Sequence, residues 1–255
     1  MPSALEQQRA AAALILGVIS DAGFALAGSG AIREHGLTGR PTRDVDLFTN
    51  DTATEPFAAA VERAIAALAD HDHQVILARS APQFARLAVT ANDGYQFEVD
   101  LGVDWRAHEP VRLQVGPVLA LSDAVANKVG ALYSRAAARD FIDVDTIRQS
   151  GRFTDSELLR LAVEHDPGFD PALFAEQLGQ VTTLRASALT EYGVNPEDVQ
   201  SLQHRLTTWQ RQLVERHGNE PSNTNLEPEA FDAPRADPRR NPPVRGGRPP
   251  PGFTI

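Results

Sequence analysis

The stretch that most constrains this chain is GSGAIREHGLTGRPTRDVDLF, residues 28–48. An apolar run, Phe24 to Ala27, ends in Gly28-Ser29-Gly30 and reads as a strand entering a turn. Val45 to Thr49 reads as a buried strand, with Asp44 and Asp46 at its rim. Residues i and i+2 of a strand point to one side, so the two carboxylates emerge together. Like charges held side by side are unfavourable unless a cation sits between them. Oxygen ligands of this kind suit Mg²⁺ or Mn²⁺, completed by substrate phosphates. A Gly-Ser turn at a neighbouring strand end offers backbone N–H groups and a hydroxyl to a phosphate, and Gly28 permits close approach. A lone Asp-x-Asp is usually a solvated turn. The pair of motifs, in strand–turn–helix–loop–strand order, is more specific and points to a metal-assisted phosphate site.

The surrounding pattern is mixed α/β and then all-α. Residues 4–21, 31–36 and 54–69 have helical character. Residues 74–79, 84–90 and 95–103 read as strands. In the last of these, Tyr95, Phe97, Val99 and Leu101 point one way and Gln96, Glu98 and Asp100 the other. A third acid for the site comes from that polar face. Asp100 is preferred for being nearer the strand's end, with Glu98 the alternative, acting as ligand or as base for an attacking hydroxyl. After Pro117, helices are expected over 122–137, 140–149, 155–165, 171–180 and 196–217, with Asp170 and Asn195 as caps before proline. The expected organisation is a core over 1–118, a helical domain over 119–218 and a tail over 219–255. The tail holds nine of the 18 prolines and few aliphatic residues, so disorder is expected. Its five arginines are matched by five acids, which favours a solvated tail over an RNA-binding one.

Composition removes several classes. Cysteine is absent, which excludes disulfides and thiolate chemistry. The apolar run at 10–19 is too short to span a bilayer and lacks a cleavage pattern, so no membrane partner and a cytoplasmic location are expected. A net charge of −10 argues against a general nucleic-acid coat and leaves a local basic cleft open, for which Arg33, Arg40, Arg43, Arg135 and Arg139 are candidates. Of 24 basic residues, Lys128 alone is lysine. It stands on a helical face with Leu132 and Arg135, ahead of Arg139-Asp140 and Asp143. A compact ammonium meets a phosphate differently from a guanidinium fork.

These motifs together resemble the AbiEii/MenT nucleotidyltransferase toxins, within the DNA polymerase β-like superfamily. The matching residues are Gly28-Ser29, Arg40-Pro41-Thr42-Arg43-Asp44-Val45-Asp46, Lys128, and Arg139-Asp140-Phe141-Ile142-Asp143. They span about residues 10–150 and, more loosely, the helices to 217. The resemblance implies an α+β fold: a polymerase β-like core of mixed sheet flanked by helices, then a helical part. It implies transfer of a nucleoside monophosphate from an NTP to an acceptor, such as the 3′ end of tRNA, and a cognate antitoxin as partner. By the same resemblance Asp44 and Asp46 hold Mg²⁺ and Ser29 binds phosphate. Lys128 neutralises triphosphate charge, and Asp143 orients Lys128 or the nucleotide. Thr42 is tied to activity and to its inhibition by phosphorylation, while Arg40, Arg135 and Arg139 are candidates for phosphate or acceptor contacts. Two other readings stay open: the same chemistry on a protein hydroxyl or an aminoglycoside, and a non-catalytic nucleotide-binding module.

Overall fold

The computed structural model describes residues 2–38 and 40–219. The expected disorder and the arginines of the tail lie outside the described residues. Helix α1 (Ala4–Ile19) starts at a capping box, in which Ser3 accepts from the Glu6 amide and the Glu6 carboxylate accepts from the Ser3 amide. Its buried face is Ala11, Ala12, Ile15, Leu16 and Ile19, a helical spacing that seats the helix on the sheet.

The strands are β1 (Ala25–Leu26), β2 (Asp44–Thr49), β3 (Gln74–Ala81), β4 (Phe84–Thr90), β5 (Gln96–Val103), β6 (Val111–Leu113) and β7 (Gly116–Val118). They form one mixed sheet in the order β3-β4-β5-β2-β1-β7-β6. β2 lies parallel to β5 and β1 parallel to β7, and the remaining pairings are antiparallel. Helix α2 (Gly28–Glu34) follows β1, and α3 (Thr54–Ala69) links β2 to β3. Val45, Leu47, Val99 and Leu101 are buried on the core side, where alternation predicts them.

Beyond β7 the described residues are helical. They comprise α4 (Leu121–Arg135), α5 (Ala138–Gln149), α6 (Asp155–His165), α7 (Pro171–Gly179), α8 (Ala186–Thr190) and α9 (Val199–Asn219). Asp170 caps α7 through the amides of Ala172 and Leu173, with Pro171 at the first helical position. Asn195 does not cap α9. Residues 196–198 make a turn, closed from Asp198 N to Asn195 O, and the helix starts at Val199. The expected helix at 31–36 begins earlier, at Gly28, so Gly28 and Ser29 form its first turn. The β6–β7 hairpin and α8 were not expected. Their cores are three to five residues long, and such short runs carry little periodicity. No helix among the described residues is long and apolar enough to cross a membrane.

Candidate active site

The register of β2 on β5 builds the acidic side of the site. Asp44 stands opposite Glu98, and Asp46 opposite Asp100. β4 adds Arg86 opposite Asp100. Paired residues share a face, so Asp44, Asp46, Glu98, Asp100 and Arg86 all project from the side of the sheet away from the buried valines and leucines. They line a cavity of about 900 Å³.

Arg86 was not expected from the sequence. It forks onto both Asp100 oxygens at 2.7 and 2.6 Å and reaches Glu98 at 3.0 Å. Alternation could have found it, because Ala85, Leu87 and Val89 are buried and Arg86 faces the other way. The hydrogen bond to Asp100 raises the pKa of Arg86 further above its ordinary value, opposed by burial. Asp44 has a different partner: the buried hydroxyl of Thr42 donates to its Oδ1. Thr42 thus orients Asp44 from behind, and its own backbone carbonyl is held by Gln8 at 2.8 Å.

Asp46 has no such partner to offset burial. Desolvation and the neighbouring charges of Asp44 and Asp100 push its pKa up to about 6, against the pull of Lys128 and Arg139. A Cβ on Gly28, whose φ is +55°, would sit 1.8 Å from Asp46 Oδ2. Glycine is therefore required at position 28 on two counts, backbone conformation and the space taken by the acid.

The cationic side comes from the helices and from the segment that leads into β2. Asp143 of α5 is fully buried and gathers Arg40 and Lys128. Arg40 Nε lies 2.5 Å and Lys128 Nζ 2.8 Å from its oxygens. Ser29 joins the same network, accepting from Lys128 Nζ at 2.9 Å and from Arg40 at 2.6 Å. Burial alone would raise the pKa of Asp143. The Arg40 hydrogen bond and the two cations outweigh it, so the carboxyl lies below its ordinary range. Asp140, one turn earlier on α5, faces elsewhere: it accepts from Arg135 at 2.8 and 2.9 Å and from the Ala137 amide at 3.1 Å.

The structure therefore brings Gly28, Ser29, Arg40, Asp44, Asp46, Asp100, Lys128, Arg135 and Arg139 to one cavity. Thr42 and Asp143 stand behind that wall. Arg43 opens instead on a smaller adjoining pocket with Thr42 and Arg139. Arg33 lines neither and is half-buried, so the expected ring of five arginines is reduced. The far end of the cavity is built from residues the sequence did not single out: Asp104, Trp105, Asn127, Tyr133 and His165.

The donor set fits a divalent cation. Two carboxylates share a strand face, one of them is held above its ordinary pKa by burial and by like charge, and Gly28 leaves the room that this carboxylate occupies. No group of three or more acidic or histidine side chains among the described residues forms a ready metal cage. Mg²⁺ sites of this class draw on one or two carboxylates and take the remaining ligands from phosphates and water.

Residues 14–233 match the family described as "Nucleotidyl transferase AbiEii toxin, Type IV TA system". Among solved structures, one described as a candidate nucleotidyltransferase from H. pylori is 16% identical, with a TM-score of 0.51, covering 83% of this chain and 96% of that one. JHP933 from Helicobacter pylori is 16% identical over 84% of this chain and 93% of its own, at a TM-score of 0.48. MenT4, a nucleotidyltransferase toxin from Mycobacterium tuberculosis, is 16% identical over 84% and 89%, at 0.47. No curated protein matches the chain. The chain belongs to the AbiEii nucleotidyltransferase toxin family.

Proposed function

We propose that this AbiEii-family nucleotidyltransferase moves a nucleoside monophosphate from an NTP to the 3′ end of an RNA, tRNA being the favoured acceptor. The observation that carries this reading is the opposition of two walls in one cavity. Asp44 and Asp46 lie on the sheet, and Ser29, Lys128 and Arg40 are joined through Asp143 on the helices.

Asp44 and Asp46 would hold Mg²⁺, or Mn²⁺, which when bound draws charge from the triphosphate and favours in-line displacement. The Ser29 hydroxyl and the α2 amides hold phosphate oxygens, and Lys128 places a point charge against them. Asp143 is a positioning residue that fixes Lys128 and Arg40 together. The acceptor hydroxyl oxygen bonds to the α-phosphorus, the bond to pyrophosphate breaks, and Asp100 takes the hydroxyl proton. Arg86 takes one acceptor site on each Asp100 oxygen, and the remaining lone pairs are those left for the acceptor hydroxyl. Arg135 and Arg139 stand on the rim for acceptor phosphates, and Arg139 has no ion pair among the described residues.

The test incubates purified protein with Mg²⁺, each labelled NTP in turn and total RNA. Label on tRNA-sized RNA, lost on adding a chelator and lost in Asp46→Asn, is expected. Label on protein, or on an added aminoglycoside with RNA untouched, reassigns the acceptor. Nucleotide-dependent thermal stabilisation with no transfer to any acceptor rejects the enzymatic role of these residues.

A further inference from the structure

The far end of the cavity is chemically unlike the phosphate end. Trp105 projects an indole that is 51% exposed, one of the largest apolar surfaces left uncovered among the described residues. Its ring meets His165 edge-on, with centroids 5.2 Å apart. Trp105 and His165 line the same cavity as Asp44, Asp46 and Lys128.

The loop that carries the indole is tied to its surroundings. The Asp104 amide donates to Thr49 O at 2.9 Å, continuing the sheet one residue past β5. The Asp104 carboxylate accepts from the Trp105 amide at 2.9 Å and from Asn127 Nδ2 at 3.1 Å. Arg106 donates to Gly23 O at 3.0 Å, and buried Asp123 accepts from the amides of Ala107 and His108. A loop tied at each of these residues carries the ring on an ordered backbone, which lowers the ordering cost of binding. Next to it, Asn127 Oδ1 and His165 Nδ1 are buried and meet no hydrogen-bond partner among the described residues. Such unfilled capacity is unfavourable and uncommon in a folded chain.

The cavity offers something to each part of a nucleotide: Lys128 for phosphate and, two residues past the end of β5, the ring of Trp105. Asn127 and Lys128 are neighbours on α4, one facing Asp104 and the other Asp143. A ligand anchored by phosphate at Lys128 shares its cavity with the indole.

Resting on the transferase reading above, we propose that Trp105 is a stacking shelf for a nucleobase, with Asn127 and His165 at its edge. Any nucleobase has a π-face to stack, so the shelf tolerates base identity, and any selectivity comes from the edge. The base belongs either to the incoming NTP or to the terminal nucleotide of the acceptor.

The full-length protein and Trp105→Ala are compared in two measurements. The first is tryptophan fluorescence, because the chain's other tryptophan, Trp209, is 1% exposed and shielded from a quencher. NTP with Mg²⁺ should quench the wild type and inorganic tripolyphosphate should not if the base is the donor's. A short single-stranded RNA should quench if the base is the acceptor's. The second is the KM for each substrate. Trp105→Ala should raise one of them about 5- to 100-fold, the range expected for losing one stacked base, and Trp105→Phe should restore most of it. A rise for NTP assigns the donor base, and a rise for RNA assigns the acceptor base. Unchanged KM for both with no quenching overturns the shelf even if transfer proceeds. Should the wild type transfer nothing, quenching by nucleotide or RNA still decides the shelf, separately from the transferase reading.

Discussion

Two aspartates of the site respond to pH in opposite senses. Asp46 has its folded pKa raised to about 6, so it favours the folded state at low pH, and that contribution is lost as pH rises through about 6. Asp143 is shifted downward, so its contribution is present above the ordinary carboxylate pKa and is lost as pH falls below it. Asp46→Asn should therefore raise the thermal midpoint of the metal-free protein at pH 7.5, by at most about 3 kcal/mol in stability, while transfer is lost. Thermal melts of the two proteins at pH 5 and 7.5, with their difference shrinking at the lower pH, check this. On the proposed reading Mg²⁺ would compete with the Asp46 proton, so its affinity should fall as pH drops below about 6, measurable by calorimetry. Gly28→Ala drives a methyl into Asp46 and should abolish transfer with about 1–3 kcal/mol lost from stability.

Among the elements, helix α5 ties the helical half to the sheet half. Asp143→Asn leaves Arg40 and Lys128 buried with weakened compensation and should cost about 3–5 kcal/mol, read by denaturant unfolding. The opposite face of α5 is tied to α9 through Asp145 and Arg205 at 2.5 Å. Much of this was legible in the sequence. The alternation of β5 placed Glu98 and Asp100 on the polar face, and Asp44 and Asp46 fell together on β2 as strand geometry requires. The Arg40–Asp143 pair, 103 residues apart, leaves no local trace: the resemblance named both residues, but it set Asp143 against Lys128 or the nucleotide and not against Arg40. Arg86 was overlooked because an isolated arginine in an alternating strand is usually a solvated face. Trp105 was overlooked because the loop after β5 has no period at all. Helix boundaries slipped where capping signals misled, as at Asn195.

At the scale of the molecule, the proposed RNA acceptor would ask a chain of net charge −10 to hold a polyanion. Five cations line the cavity, Arg40, Arg86, Lys128, Arg135 and Arg139, and most are already engaged by carboxylates. Few remain to neutralise RNA phosphates. The dependence of acceptor KM on salt should accordingly be shallow, with a log–log slope for RNA binding of about −1 to −2. Arg139→Ala should flatten it by about one unit, and a titration of KM against KCl reads both. An RNA that binds with a steep slope would place its main contacts outside this cavity.

The parallel register of β2 on β5 has one more consequence. A strand that slips by a single residue sends Val45 and Leu47 into solvent and the aspartates into the core. The arrangement that hides the apolar side chains is the same one that presents the acids. A misfolded copy of this toxin is thus also a disarmed one, and correct folding and the capacity to do harm pass through a single checkpoint.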